Sequence, residues 1–346
     1  MVNMPADFGA ECLTGSKALC CSQAGVTCRW DGTAPFCDGE CQQGETVGSP
    51  PPGSSSGAGC LTGSKVYCCR STAANPNPTG TSRSRLEASP EFAVYAAIWD
   101  KDQSVAWEAR HGLTSDEYQA VVDRLAPQGF RPVEVSGYSV DGQARCATVW
   151  EQRQGPAWVA RHGLTSDEYQ QEFDRLTGEG FAPVSISGCT VGGRDLYAAV
   201  WEQRQGPAWV ARHGLTSDEY QREFDRLLAE GFRLVDVSGY FVGGTDRYAA
   251  IWQMNDGRAW AARHGLTAEQ YQREFNALGE QGMRPTLVAT WTSDRTPRYA
   301  AIWEQRNEPA WVARHGMLSD TYQEEFDRLA QEGYRPVSVS AFHLYQ

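Results

Sequence analysis

From residue 91 to the end of the chain, two hydrophobic periods follow each other in a fixed order, and that order returns every 51 residues. In the second unit Tyr169, Phe173 and Leu176 fall at i, i+4 and i+7, the apolar stripe of a helix. Thr165-Ser-Asp-Glu168 ahead of the stripe reads as a capping box, and Gly180 behind it as a stop. The pattern then changes to period 2 over 181–191 and 196–204, two strand-like stretches around the hairpin signal Gly192-Gly193-Arg-Asp. The third unit repeats this with 232–242, Gly243-Gly244-Thr-Asp and 247–255. Pro156 and Gly163 frame a short segment carrying Trp158 and His162 at i and i+4, which predicts a helical turn with both on one face. Each unit is therefore expected to run strand A, hairpin, strand B, short turn, helix.

The two ends of the repeat region carry further information. It opens with a lone strand B at 94–99 and finishes with a lone strand A at 335–344. Pairing these orphans with each other removes two exposed sheet edges. The expected fold is α+β: five tandem β-hairpin/helix repeats closed into a pseudo-five-fold ring, propeller- or barrel-like. An open solenoid would need atypical capping repeats, and none is visible. Residues 1–70 read as a small disulfide-rich module, 71–90 as an extended linker and 91–346 as the ring domain.

The cysteines support that division, since nine of eleven lie in the first seventy residues: Cys12, Cys20, Cys21, Cys28, Cys37, Cys41, Cys60, Cys68 and Cys69. The segment has no His and no paired knuckle spacing, which favours disulfides in an oxidising compartment over zinc. Cys146 and Cys189 stand where other units carry tyrosine, and a disulfide between consecutive units is expected there, two buried thiols being the alternative. The first residues, Met1-Val-Asn-Met-Pro, lack the profile of a signal peptide, so a mature form with an added Met is expected. A formal charge of −12 opposes nucleic-acid partners, and no apolar run approaches the ~20 residues of a membrane span.

Two tryptophan series and one histidine series mark the repeat. Trp99, Trp150, Trp201, Trp252 and Trp303 lie on strand B with Tyr197, Tyr248 and Tyr299, opposite a small apolar face of the Ala198 and Val200 type. The small face suits packing beneath the helix. The Tyr/Trp face, with serines such as Ser185 and Ser187 on strand A, would then offer rings and fixed polar groups to a sugar. His111, His162, His213, His264 and His315 follow the second series, Trp107, Trp158, Trp209, Trp260 and Trp311. These tryptophan, tyrosine and histidine side chains are the candidate ligand-binding residues, with core packing and turn fixing as their structural alternatives. One His per unit with no second ligand at fixed spacing argues against metal, and no cofactor is expected. The chain has no G-x-S-x-G elbow, Walker loop, H-E-x-x-H or S-x-x-K string, so no catalytic residue is assigned.

The string from Tyr197 to Tyr220, with W-x-x-R-H-G-[LM] in all five units, resembles bacterial tandem repeat domain 1, which also forms the N-terminal region of fungal polyglycine hydrolases. In those enzymes catalysis belongs to a separate β-lactamase-like domain with a Ser/Lys site, so the resemblance implies an accessory or recognition module. The Cys28 to Cys69 string resembles small cysteine-rich modules of secreted fungal proteins. The expected protein is a secreted, extracellular, non-catalytic binding protein that recognises glycans in a lectin-like, multivalent manner. The alternative is a polypeptide-binding accessory module. Neither nucleic acid nor membrane insertion is expected.

Overall fold

A computed structural model describes residues 93–306 and 309–343, together with the backbone of six short strands further upstream. The chain divides into two compact units, Met1–Leu86 and Glu87–Gln346. In the first, β1 (Ala18–Leu19), β2 (Val26–Asp31), β6 (Val66–Ser71) and β4 (Thr46–Val47) make one sheet, and β3 (Phe36–Asp38) pairs with β5 (Thr62–Ser64). The nine cysteine side chains of this unit, and the expected linker, lie outside the described residues.

The second unit holds five three-stranded antiparallel sheets, each with one helix. The outer strands are β8 (Ala106–Leu113), β11 (Trp158–Leu164), β14 (Trp209–Thr216), β17 (Trp260–Leu266) and β20 (Trp311–Leu318). Each leads into a helix: α1 (Ser115–Leu125), α2 (Ser166–Gly178), α3 (Ser217–Ala229), α4 (Ala268–Glu280) and α5 (Ser319–Gln331). Inner strands follow at β9 (Phe130–Val140), β12 (Ala182–Val191), β15 (Phe232–Val242), β18 (Met283–Ser293) and β21 (Arg335–His343). The middle strands are β10 (Gln143–Gln152), β13 (Arg194–Glu202), β16 (Thr245–Met254) and β19 (Thr296–Gln305), with β7 (Ala93–Asp100) serving the fifth sheet.

The expected helices form where the stripe placed them, and the first four have reciprocal capping boxes, Thr165 with Glu168 among them. Gly192 and Gly193 take φ of 57° and 77°, the left-handed pair that a tight hairpin requires. The segment carrying Trp158 and His162 corrects the sequence reading: it is a strand paired with β13, not a helical turn. Spacing of i, i+4 puts two side chains on one face in both periods, so it could not distinguish them. Gly163, at φ 67°, sits in the bulge between Arg161 and Leu164.

The faces of the middle strand are also the reverse of expectation. Helix α2 covers the aromatic face, with Tyr169 packed on Tyr197 and Trp201 at ring separations of 5.2 and 5.9 Å. Ala198 and Val200 pack instead against Val135 of the preceding sheet. Large rings fill the wedge between helix and sheet, while small side chains let consecutive sheets approach closely.

The orphan strands pair as expected. β21 and β20 both flank β7, with Val339 opposite Ala97 and Ala313 opposite Ile98. Inner strands contact one another in the order β9, β12, β15, β18, β21, and β21 contacts β9, so the circuit returns to its start. The barrel-like alternative does not occur, because the five sheets remain separate in their backbone pairing. Side chains bridge the seams in its place. Gly137 N donates to Ser187 Oγ (2.9 Å), Ile186 N to Asp236 Oδ2 (2.6 Å), Gly188 N to Ser238 Oγ (3.1 Å), Thr290 N to Ser340 Oγ (2.9 Å) and Val339 N to Glu134 Oε2 (2.8 Å). Four of the five inner strands thus have edge N–H groups satisfied by side chains of the next strand, at ~1 kcal/mol apiece; at the seam from β15 to β18 the acceptor positions are taken by Leu287 and Ala289. Cys146 and Cys189 face the seam between the first two sheets as free thiols, so the expected disulfide is not formed. They reach it from opposite sides of Gly137, which pairs with Cys146 and lies under Cys189.

Candidate functional site

The five inner strands enclose two cavities joined by a narrow waist. The waist is lined by Ser136, Ser187, Ser238, Ser340 and Ala289 and holds only about 20 Å³. On one side lies a polar mouth of about 380 Å³, on the other a wider mouth of about 450 Å³ with apolar and hydroxyl groups side by side. Every sheet contributes to both. The polar mouth receives the bulged residues Val133, Val184, Val235, Thr286 and Val337, each skipped in the pairing of its inner strand. A bulge adds local twist, which re-aims these side chains toward the axis.

Around the polar mouth, guanidinium groups of one sheet meet carboxylates of the next: Arg131–Glu202 (3.2 Å), Arg233–Glu304 (2.8 Å), Arg284–Asp100 (2.6 Å) and Arg335–Glu151 (2.6 Å). The remaining seam has Ala182 where the arginine would stand and Gln253 where the acid would stand. Both charges are missing together, as the cost of burying an unpaired ion demands. Two further carboxylates line this mouth with backbone and hydroxyl donors as their partners. Glu134 accepts from Ser338 Oγ (2.9 Å) and Val339 N, and burial pushes its carboxyl up to about 8. Burial likewise raises Asp236 to about 7, against the lowering effect of its hydrogen bond from Ile186.

Of the candidates named from sequence, Trp99, Trp150, Trp201, Trp252 and Trp303 are 0–1% exposed, and Tyr197, Tyr248 and Tyr299 are 1–2% exposed. They are core residues, and the reading of them as a ligand platform is corrected. All five indole N–H groups lack a hydrogen-bond partner among the described residues, which marks packing as their contribution. The histidines are half-buried and join each helix to the next outer strand. His162 Nε2 lies 2.8 Å from Ser115 Oγ, His213 Nε2 3.2 Å from Ser166 Oγ and His315 Nε2 2.8 Å from Gln272 Oε1. Helix tyrosines meet them edge-on, at 4.6 Å for Tyr220–His264 and 4.8 Å for Tyr322–His111. Burial lowers the pKa of His162, His213, His264 and His315, keeping the imidazoles neutral. Among the described residues no group of three or more His, Cys, Asp or Glu side chains is arranged to hold a metal.

The unit that recurs in space also recurs in a known family. A model described as polyglycine hydrolase-like, structural repeat, matches residues 104–153, 155–204, 206–255, 257–306 and 308–343. The chain belongs to this family. Each of the first four matches spans one polyglycine hydrolase-like repeat of outer strand, helix, inner strand and middle strand, which is one sheet of the fold. The fifth ends at the inner strand β21, and its sheet is completed by β7, which precedes the first match.

Within this repeat, two sets of corresponding positions that face the axis differ between units. Position by position, Glu134, Ser185, Asp236, Leu287 and Ser338 correspond, as do Tyr138, Cys189, Tyr240, Trp291 and Phe342. Of these, the sequence marked Ser185 as a polar group on strand A and Cys189 as a break in the tyrosine pattern, and left the others unmarked. Departures from the 51-residue consensus were the signal that could have found them.

Proposed function

We propose that this polyglycine hydrolase-like repeat protein is a secreted, non-catalytic binding module whose five units close into a propeller-like ring around one axial ligand site. The reading rests on the wider mouth, where all five sheets bring residues to a single cavity of about 450 Å³. A saccharide fits its chemistry. Half-buried Phe241 supplies an apolar patch, while Thr190 and Thr292 donate to the carbonyls of Phe241 and His343 and keep hydroxyl lone pairs as acceptors. A sugar ring presents the complementary pair, a C–H face and donor hydroxyls. The lectin-like reading therefore moves from five aromatic platforms to one mouth. Calorimetric titration with a panel of oligosaccharides tests it. Binding should weaken at least tenfold in Phe241→Ala and Thr292→Val, and no binding at millimolar sugar, or binding indifferent to both changes, contradicts it.

The family description favours a second reading, that the same mouth takes an extended polypeptide. Capture of a polypeptide that free sugars do not displace, and that Phe241→Ala abolishes, would select it.

A further inference from the structure

The five seams between sheets differ in one place. At four of them the middle strand and the next inner strand each contribute a ring, and the rings meet. Tyr95 and Tyr138 touch through their hydroxyls at 2.9 Å, and Tyr197 and Tyr240 at 2.5 Å. Tyr248 lies 5.5 Å from Trp291 and Tyr299 6.4 Å from Phe342, both edge-on. The corresponding residues at the seam between the first two sheets are Cys146 and Cys189.

Two thiols thus stand where two rings meet at the other seams, and less side-chain volume covers this flank of the wider mouth. A Cβ on Gly188 would strike the Tyr240 ring at 2.4 Å and one on Gly239 the Trp291 ring at 2.5 Å, so these glycines exist to be covered by rings. Over Gly137 the nearest atom is Cys189 Sγ at 3.4 Å, an ordinary contact. Gly188 and Gly239 are accordingly buried, whereas Gly137 and Cys189 are half-buried and line the mouth. Backbone groups repeat the contrast. Tyr138 Oη accepts from Gly112 N at 2.9 Å and Tyr240 Oη from Gly214 N, while the matching Gly163 is exposed.

A second observation comes from the helix side. The first-turn tyrosines of α2 to α5 stack on or lie tilted against the middle-strand tyrosine, as Tyr220 does on Tyr248 at 4.8 Å. Tyr118 of α1 packs with Cys146 instead. It is 1% exposed, and its hydroxyl is the only tyrosine hydroxyl among the described residues that is buried without a hydrogen-bond partner. An unpaired buried hydroxyl costs ~1–3 kcal/mol, a cost that a polar ligand edge at this seam would relieve.

We propose that the notch over Gly137, between Cys189 and the Cys146–Tyr118 wall, is a subsite for a phenol-type ring, the group that the chain itself supplies at the equivalent seams. The ring would lie on the Gly137 backbone as Tyr240 lies on Gly188, with its hydroxyl toward Gly163 N. The inference deepens the axial-mouth reading by giving that mouth an aromatic subsite, and it is scored with small probes, apart from any saccharide or polypeptide titration.

Ligand-observed saturation-transfer NMR with p-cresol, N-acetyl-tyrosinamide and N-acetyl-phenylalaninamide tests it on the full chain. Transfer to p-cresol and N-acetyl-tyrosinamide, weaker for the phenylalanine amide, and loss of at least tenfold affinity in Cys189→Tyr, support the subsite. A preference for N-acetyl-tyrosinamide over p-cresol would identify a peptide side chain as the source, and the reverse a free phenol. Cys189→Met fills the same space with a flexible side chain and serves if Cys189→Tyr does not fold. Absence of transfer for both phenols at millimolar concentration, or affinity unchanged in whichever variant folds, overturns the proposal.

Discussion

At the scale of single residues, stability turns on what each charge or ring would cost if left alone. Arg284 and Asp100 are 2% and 6% exposed and meet at 2.6 Å across the seam between the fourth and fifth sheets. Removing one partner should cost about 3–5 kcal/mol, since the other stays buried and unpaired. The chain contains its own remedy in Ala182 and Gln253. Chemical denaturation should therefore show Arg284→Ala strongly destabilised, and Arg284→Ala with Asp100→Gln recovering most of the loss. Glu134 and Asp236 give a pH effect of definite sign. Their folded pKa values, about 8 and about 7, exceed the ordinary 4.5 and 3.8, so between these limits the folded chain holds protons that the unfolded chain has released. Stability from these groups is full at low pH and declines as pH rises toward 8. Denaturation midpoints across that range should fall less steeply in Glu134→Gln with Asp236→Asn, and an unchanged slope would remove the argument. None of this was legible in the repeat pattern. A periodic tryptophan shows that a site recurs but not which way the strand faces, and the neighbour that decides this comes from another unit.

At the scale of elements, the helices were the most legible part, because capping box, stripe and terminal glycine are all local. The outer strands were the least legible, because a seven-residue segment with a bulging glycine satisfies helical and extended spacing alike until its partner strand is known. One helix departs from the rest. Leu318 takes the N-cap position of α5 with no side-chain hydrogen bond and is 49% exposed, and Thr321 stands where Glu168 closes the box in α2. Leu318→Thr with Thr321→Glu should restore the box and stabilise the chain by ~1 kcal/mol, read as a higher denaturant midpoint at unchanged slope. No gain would mean that α5 is held by its packing on its sheet alone.

For the molecule as a whole, the decisive information lay in the orphan strands at either end. Their pairing was inferable because an unpaired edge is costly wherever it occurs, and β7 between β20 and β21 bears that out. The separation of the five sheets was not inferable. It arises because serines and carboxylates on four of the five inner strands take the backbone donors of a neighbour, a relation mostly between residues about 50 apart in sequence. The same geometry turns five similar units into one cavity with five different walls. A ligand that used the repeated Trp/His marks would bind five times, whereas a ligand of the axial mouth binds once. The stoichiometry of calorimetric titration with the best-binding saccharide or polypeptide separates these most directly. One ligand per chain is expected, bound at least tenfold more weakly in Phe241→Ala, and five equivalent sites per chain would contradict a single axial site.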